Sequence, residues 1–246
     1  MKQFGLIGFP LGHSFSKKYF SEKFTLENIA AKYELYPLDS ISLFDQLKQN
    51  SELCGLNVTI PYKEQVIGFL DELDETSAQI GAVNVIKFIR NGGELWLKGY
   101  NSDCIGFENS IKPFLQSYHT KALILGTGGA SKAIDYSLQK LGFKTTFVSR
   151  ALKPNTIIYS QITKEVIADN LLIINASPIG TFPHVDEYPD IPYQFLTDKH
   201  LLFDVVYNPT ETQFLKKGWE RGAKGLNGEA MLIGQAEAAW NIWNDK

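Results

Sequence analysis

The 246-residue chain is poor in several things, and each scarcity narrows what it can be. It has two cysteines, Cys54 and Cys104. They form no C-x-x-C pair, and no cysteine or histidine spacing matches a zinc site, so no metal is expected. Two lone thiols suit a reducing compartment rather than a disulfide framework. Charge of one sign is also missing: 24 Lys and Arg stand against 27 Asp and Glu, for a net charge of −3. That balance offers neither nucleic acid nor an anionic membrane the basic surface it would need. No window approaches the roughly 18 apolar residues of a membrane span. The amino-terminal MKQFGLIGFPLGHS carries one early lysine, and Pro10, Gly12 and His13 interrupt its apolar run. It reads as a first strand rather than a signal peptide, so a cytoplasmic protein acting on a small molecule is expected.

What is present alternates. FGLIGF, YELYPL and GLNVTI read as strands, with helices expected over 17–29, 41–49 and 64–73. This β-α-β-α order argues for a mostly parallel α/β sheet. VNVIKFIR and ELWLKGY flank Asn91-Gly92-Gly93, a hairpin signal expected to close the first sheet. A second series begins at KALILG and continues through KTTFVSR, LLIINA and LLFDVVY, as in a doubly wound Rossmann-type half. Met231, Leu232, Ala236, Ala239, Trp240 and Trp243 recur at helical spacing. They predict a last helix that returns to the first domain. The expected organisation is a substrate domain over 1–102, a dinucleotide domain over 103–226 and a returning helix over 227–246, with a cleft between domains for a small ligand.

LILGTGGASKA puts Gly126, Gly128 and Gly129 after a buried strand and before a helix. Glycines let the backbone turn close to a pyrophosphate, and the helix amino terminus presents free N–H groups. Ser131 occupies the third-glycine position of G-x-G-x-x-G, where a small residue still permits close packing. A tight βα turn is the plainer reading; the surrounding α/β units favour dinucleotide binding. The next strand ends in Ser149-Arg150, with no acid for a ribose 2′-hydroxyl. Arg150 matches a 2′-phosphate, and Lys153 adds charge nearby, so NADP is favoured over NAD.

Asn57-Val58-Thr59-Ile60-Pro61-Tyr62-Lys63 sets Asn57 and Thr59 on one face of a strand, odd in a covered sheet unless that end faces a site. Lys63 is expected in the first turn of the next helix, where the dipole disfavours its charge and would ease proton transfer. A lysine swung out to solvent fits the pattern equally well. Asp103 stands where a strand gives way to a helix, and capping that helix is its plainer role. Alternatively it meets Lys63 as an ion pair. Asn84 is a polar residue in an apolar strand, and Ser14 and Ser16 either cap a helix or bind a carboxylate. Gln235 lies on or beside the apolar face of the last helix.

Taken together, the chain closely resembles the shikimate dehydrogenase family, through GFPLGHSFS, GLNVTIPYK, GAVN, GYNSDCIGF, LGTGGASKA, NASPIG, DVVYNP and GLNGEAMLIGQA. The substrate-side blocks are the more specific, because no generic Rossmann protein needs them. The resemblance implies reversible NADPH-dependent reduction of 3-dehydroshikimate to shikimate, in the pathway to chorismate and aromatic amino acids. It implies Lys63 and Asp103 as the catalytic pair. Ser14, Ser16 and Tyr207 would hold the substrate carboxylate beside Thr59. Asn84, Asp103 and Gln235 would hold ring hydroxyls, with Asn57 and Gly228 lining the same region. On the cofactor side it implies Gly126, Thr127, Gly128, Gly129 and Ala130 at the phosphates and Ser149 with Arg150 at the 2′-phosphate. Asn175, Ala176 and Ser177 would lie by the nicotinamide. The chain departs from the family at Lys17-Lys18-Tyr19-Phe20, where Pro and His-Asn are usual, and at Ser149-Arg150-Ala151, where the family carries Asn-Arg-Thr. Rival readings are a quinate-using paralogue with relaxed NAD use, a non-catalytic dinucleotide- or metabolite-binding protein and, more distantly, a methylene-tetrahydrofolate dehydrogenase. The expected assembly is a monomer or homodimer.

Overall fold

Six of the seven residues of KQFGLIG are buried, which a strand achieves only when both faces of its sheet are covered. In the computed structural model, which describes residues 1–12 and 14–245, this segment is β1 (Lys2–Gly8). His13 of the GFPLGHSFS block lies outside the described residues. A helix, α1 (Phe15–Leu26), carries the chain to β2 (Ala31–Pro37), and a short α2 (Phe44–Leu47) leads to β3 (Leu53–Val58). Both strands run parallel to β1, one on each side. Then come β4 (Glu72–Leu73), α3 (Glu75–Ile80), β5 (Val85–Asn91) and β6 (Glu94–Tyr100), and the sheet order is β2-β1-β3-β5-β6-β4.

Two expectations change here. The helices expected over 41–49 and 64–73 are a 3-10 turn followed by α2, and a 3-10 segment Gln65–Phe69 followed by β4. Sheet pairing overrides helix there: Asp71 N–H donates to the Leu97 carbonyl at 3.0 Å, and Leu97 N–H donates to the Asp71 carboxylate at 2.7 Å. Gly68 adds a local helix penalty of about 1 kcal/mol. The β5–β6 hairpin turns through Gly92 and Gly93, both at positive φ as a two-residue primed turn requires. It does not close the sheet, because β4 pairs beyond β6 as the edge.

The second half begins with α4 (Asp103–Ile111) and β7 (Lys121–Leu125), then α5 (Gly129–Lys140), β8 (Lys144–Ser149), β9 (Thr156–Ile158), α6 (Lys164–Asp169) and β10 (Leu172–Asn175). It ends with β11 (Leu201–Asp204), α7 (Gln213–Trp219), β12 (Lys224–Leu226) and α8 (Glu229–Trp243). The six strands are all parallel, in the order β12-β11-β10-β7-β8-β9. Counted from β7 this is 3-2-1-4-5-6, the Rossmann order, with its switch point between β7 and β10. The chain divides into two units, Met1–Ser102 with Ala236–Lys246, and Asp103–Gln235. The division falls within α8. No described helix is long and apolar enough to cross a membrane.

In the first unit, Ile7, Phe44, Leu53, Leu56, Val66 and Ile86 fill one face of the sheet. On the other, Phe4, Phe20, Phe24 and Tyr33 pack with Trp240 and Trp243 from the end of α8. Trp243 stacks on Phe4 with ring centres 4.7 Å apart, and its indole N–H donates to the Ile86 carbonyl at 3.1 Å. Gly55 makes room for that indole; a methyl there would overlap it. Gly55→Ala is therefore expected to lower stability by about 1–3 kcal/mol. A shifted denaturant midpoint at constant slope measures this, and an unchanged midpoint contradicts the packing.

Candidate active site

Topology gathers the polar residues of the first unit at one sheet edge. β1 and β3 end there, and because β5 runs antiparallel to β3 it begins there, while β6 returns to it. Asn57 on β3, Asn84 just before β5 and Ser102 just after β6 consequently meet. Asn84 Nδ2 donates to Ser102 Oγ at 3.0 Å, and Ser102 N–H donates to Asn84 Oδ1 at 2.6 Å. The Asn84 carbonyl accepts from Val58 N–H at 2.8 Å and, more weakly, from Asn57 Nδ2 at 3.4 Å. All three side chains are buried.

Tyr33 joins this network although it was not among the predicted site residues. Its hydroxyl donates to Asn57 Oδ1 at 2.7 Å, and burial pushes its titration well above the usual phenol range. The sequence carries little signal for it, since β2 is an edge strand in which Tyr33 alone is buried, although a buried tyrosine needs a partner for its hydroxyl. Ser14 takes the capping role, accepting from Lys17 N–H at 3.2 Å, while Ser16 is buried in the first turn of α1. Thr59 follows β3, with its N–H donating to the Ile7 carbonyl at 2.9 Å. Lys63 is half-buried in a turn whose carbonyl accepts from Val83 N–H at 2.7 Å, so its backbone adjoins the residue before Asn84. The expected helix around Lys63 is absent, since only the five-residue 3-10 segment Gln65–Phe69 follows. The helix-dipole argument for this lysine therefore falls.

The remaining substrate-side candidates belong to the second unit. Asp103 is buried as the first residue of α4 rather than as its preceding cap. Gln235 is buried on α8, and the two helices touch where Gly106 lies against the Met231 carbonyl and Gln235 backbone. Gly228, just before α8, packs so closely on Val205 that a side chain would overlap its carbonyl, and its N–H donates to the Val206 carbonyl at 3.2 Å. Tyr207 follows and is partly exposed.

Asp204 holds this region together and was also missed. Its carboxylate accepts from Asn175 Nδ2 at 2.9 Å, Val206 N–H at 3.0 Å and Thr212 Oγ1 at 2.6 Å. Asn175 Oδ1 in turn accepts from the Ser177 hydroxyl at 2.6 Å and its N–H at 3.2 Å. One buried acid thus ties together the loops that leave β10 and β11.

The glycine turn fits a dinucleotide. Gly126 has φ +124°, and a methyl on it would stand 2.9 Å from the Ala176 carbonyl, so the turn from β7 grazes the end of β10. Ser131 is buried and its hydroxyl approaches the same carbonyl at 3.5 Å, keeping α5 close to the sheet. Around Gly128, the cap of the 12-residue α5, the space is open. The first turn of α5, with Gly129 and Ala130, offers its N–H groups to an anion there. Ser149 ends β8 buried, Arg150 follows it exposed, and Lys153 Nζ donates to Thr127 Oγ1 at 3.2 Å. Lys153 therefore reaches the glycine turn, and Arg150 stands exposed just beyond the neighbouring strand.

The chain is similar along its whole length to known proteins. The family model described as shikimate dehydrogenase substrate binding domain matches residues 6–86, a span containing Ser14, Ser16, Asn57, Thr59, Lys63 and Asn84. A curated shikimate dehydrogenase (NADP(+)) from Methanosphaera stadtmanae is 36% identical over 261 residues, covering 98% of this chain and 91% of that protein. The crystal structure of shikimate dehydrogenase 1 from Peptoclostridium difficile is 34% identical with a TM-score of 0.86, covering 100% of this chain and 92% of that one. That of shikimate 5-dehydrogenase from Thermus thermophilus, in complex with NADP(H) and shikimate, is 26% identical. Its TM-score is 0.87, over 100% of this chain and 94% of that one.

Burial pushes the Asp204 carboxyl up to about 6, against the hydrogen bonds from Thr212, Val206 and Asn175 that pull it down. The folded state therefore binds a proton that the unfolded chain, near 3.8, releases. This contribution to stability is full below about pH 4 and is lost as pH rises through about 6. Relative to Asp204→Asn, the protein should lose up to roughly 3 kcal/mol across that window. Denaturant unfolding of both at several pH values reads the difference, and a pH-independent gap contradicts it.

Proposed function

We propose, for a chain that belongs to the shikimate dehydrogenase family, the reversible NADPH-dependent reduction of 3-dehydroshikimate to shikimate, a step toward chorismate and the aromatic amino acids. It is an oxidoreductase acting on a CH–OH group. The observation that carries the reading is the buried polar edge of Ser16, Asn57, Asn84 and Ser102, whose amides and hydroxyls match a ring acid bearing several hydroxyls.

In this reading Ser14, Ser16 and Tyr207 bind the carboxylate, with Thr59 beside them. Asn84, Asp103 and Gln235 take the ring hydroxyls, and Asn57 and Gly228 shape the surroundings. Lys63 and Asp103 form the catalytic pair. The Lys63 ammonium gives its proton to the oxygen at C3 as the ketone is reduced, and the amine takes that proton back in the reverse direction. Asp103 orients the lysine and the hydroxyl. NADPH, when bound, supplies the hydride. Gly126 through Ala130 hold its phosphates on the first turn of α5, Ser149 and Arg150 hold the 2′-phosphate aided by Lys153, and Asn175 through Ser177 border the nicotinamide. The protein works in the cytoplasm as a monomer or homodimer. Ser149 and Ala151, where the family carries Asn and Thr, favour some use of NAD. Retention of both Lys63 and Asp103 speaks against a binding protein without turnover.

Lys63→Ala is expected to lower kcat for shikimate oxidation by about 10²–10⁴-fold with a smaller change in KM. The assay is NADP reduction followed by absorbance. Near-wild-type kcat in the variant removes Lys63 from the chemistry, and no shikimate-dependent reduction by the wild type removes the function itself. Arg150→Ala should raise KM for NADP by roughly tenfold or more, the loss of charge-assisted hydrogen bonds, and leave KM for NAD nearly unchanged. Equal shifts for both cofactors would refute the 2′-phosphate role.

A further inference from the structure

We propose that Tyr33 is a positioning residue for substrate binding, its hydroxyl directing the Asn57 amide so that its NH₂ faces the substrate side. This deepens the function proposed above and rests on it. Tyr33 sits in the middle of β2, fully enclosed, its ring stacked on Phe20 at 4.8 Å with the planes 14° apart. The ring cannot swing, so the position of its hydroxyl is fixed by packing.

A phenol has one proton to give. Tyr33 gives it to Asn57 Oδ1 at 2.7 Å. That bond decides which way the amide faces, because an asparagine with its oxygen pinned must turn its NH₂ the other way. Asn57 Nδ2 accordingly faces the Asn84 carbonyl, at a long 3.4 Å, which leaves donor capacity for a ligand oxygen. A single hydroxyl on β2 in this way sets the donor that β3 presents. A leucine-like core residue at position 33 would fill the space and leave the amide undirected.

Tyr33→Phe keeps the ring and its stacking while removing the hydroxyl. The expected result, by NADP reduction assay, is a rise of roughly tenfold in KM for shikimate with KM for NADP unchanged and kcat within a few-fold. With 3-fluorotyrosine at position 33, which retains ring and hydroxyl, KM for shikimate returns to near the wild-type value. In the double variant with Asn57→Ala the two effects on KM are less than additive. A purely structural tyrosine would instead lower the thermal midpoint and leave KM for shikimate alone, and that outcome overturns the proposal. Should Tyr33→Phe fail to fold, Asn57→Ala carries the test, since a wild-type KM for shikimate in that variant shows the directed amide is unused. Wild-type protein in the same assay separates the two levels: no turnover of shikimate overturns the function, whereas turnover with an unaffected Tyr33→Phe overturns only the role of Tyr33.

Discussion

An amide or carboxylate taken out of water must find its partners inside the protein, and both sheet edges are organised around that requirement. In the first unit Asn57, Asn84 and Ser102 satisfy one another and Tyr33 supplies the missing donor. In the second, Asp204 gathers donors from three separate segments. A half-satisfied network in such places would cost more than an apolar one, so these side chains fix their neighbours as firmly as core packing does. Groups held this way keep their orientation before any ligand arrives, and preorganisation of that kind lowers the entropic cost of binding.

Backbone topology determines where these networks form. Strand order reverses direction between β1 and β3 in one sheet and between β7 and β10 in the other, and the chain leaves each pair on opposite sides. Ligands of open α/β sheets bind outside the carboxyl ends at such points. Asn57 and Thr59 stand at one, and Gly126 and Asn175 at the other. The hairpin β5–β6 contributes differently: two antiparallel reversals bring Asn84 and Ser102 back to the same edge.

Much of this was legible in the sequence, for reasons that differ by element. FGLIG, KALIL and LLIIN are continuous apolar runs and announce covered strands directly. The positive-φ Gly92-Gly93 turn and the glycines after β7 are fixed by backbone conformation, which glycine reports reliably. Segments 64–73 misled because the period of Val66, Ile67 and Leu70 suits a helix, while the pairing of Asp71 with Leu97 is a tertiary event no local pattern contains. Tyr33 and Asp204 stayed hidden for a related reason. Tyr33 lies in the mixed strand β2 and Asp204 ends β11, and the importance of each comes from residues 24 and 29 positions away in the chain, Asn57 and Asn175. Lys63 and Asp103, by contrast, were named by resemblance to a family, with capping and solvent exposure as equally physical alternatives.

The central claim is that hydride passes between C3 of shikimate and NADP on this chain. Shikimate carrying deuterium at C3, incubated with NADP and the wild-type protein, tests it directly when the reduced cofactor is analysed by mass spectrometry. The account requires the deuterium to appear in NADPH in step with shikimate consumed. Reduced cofactor without label, or no reduction with shikimate while another alcohol is oxidised, would contradict it.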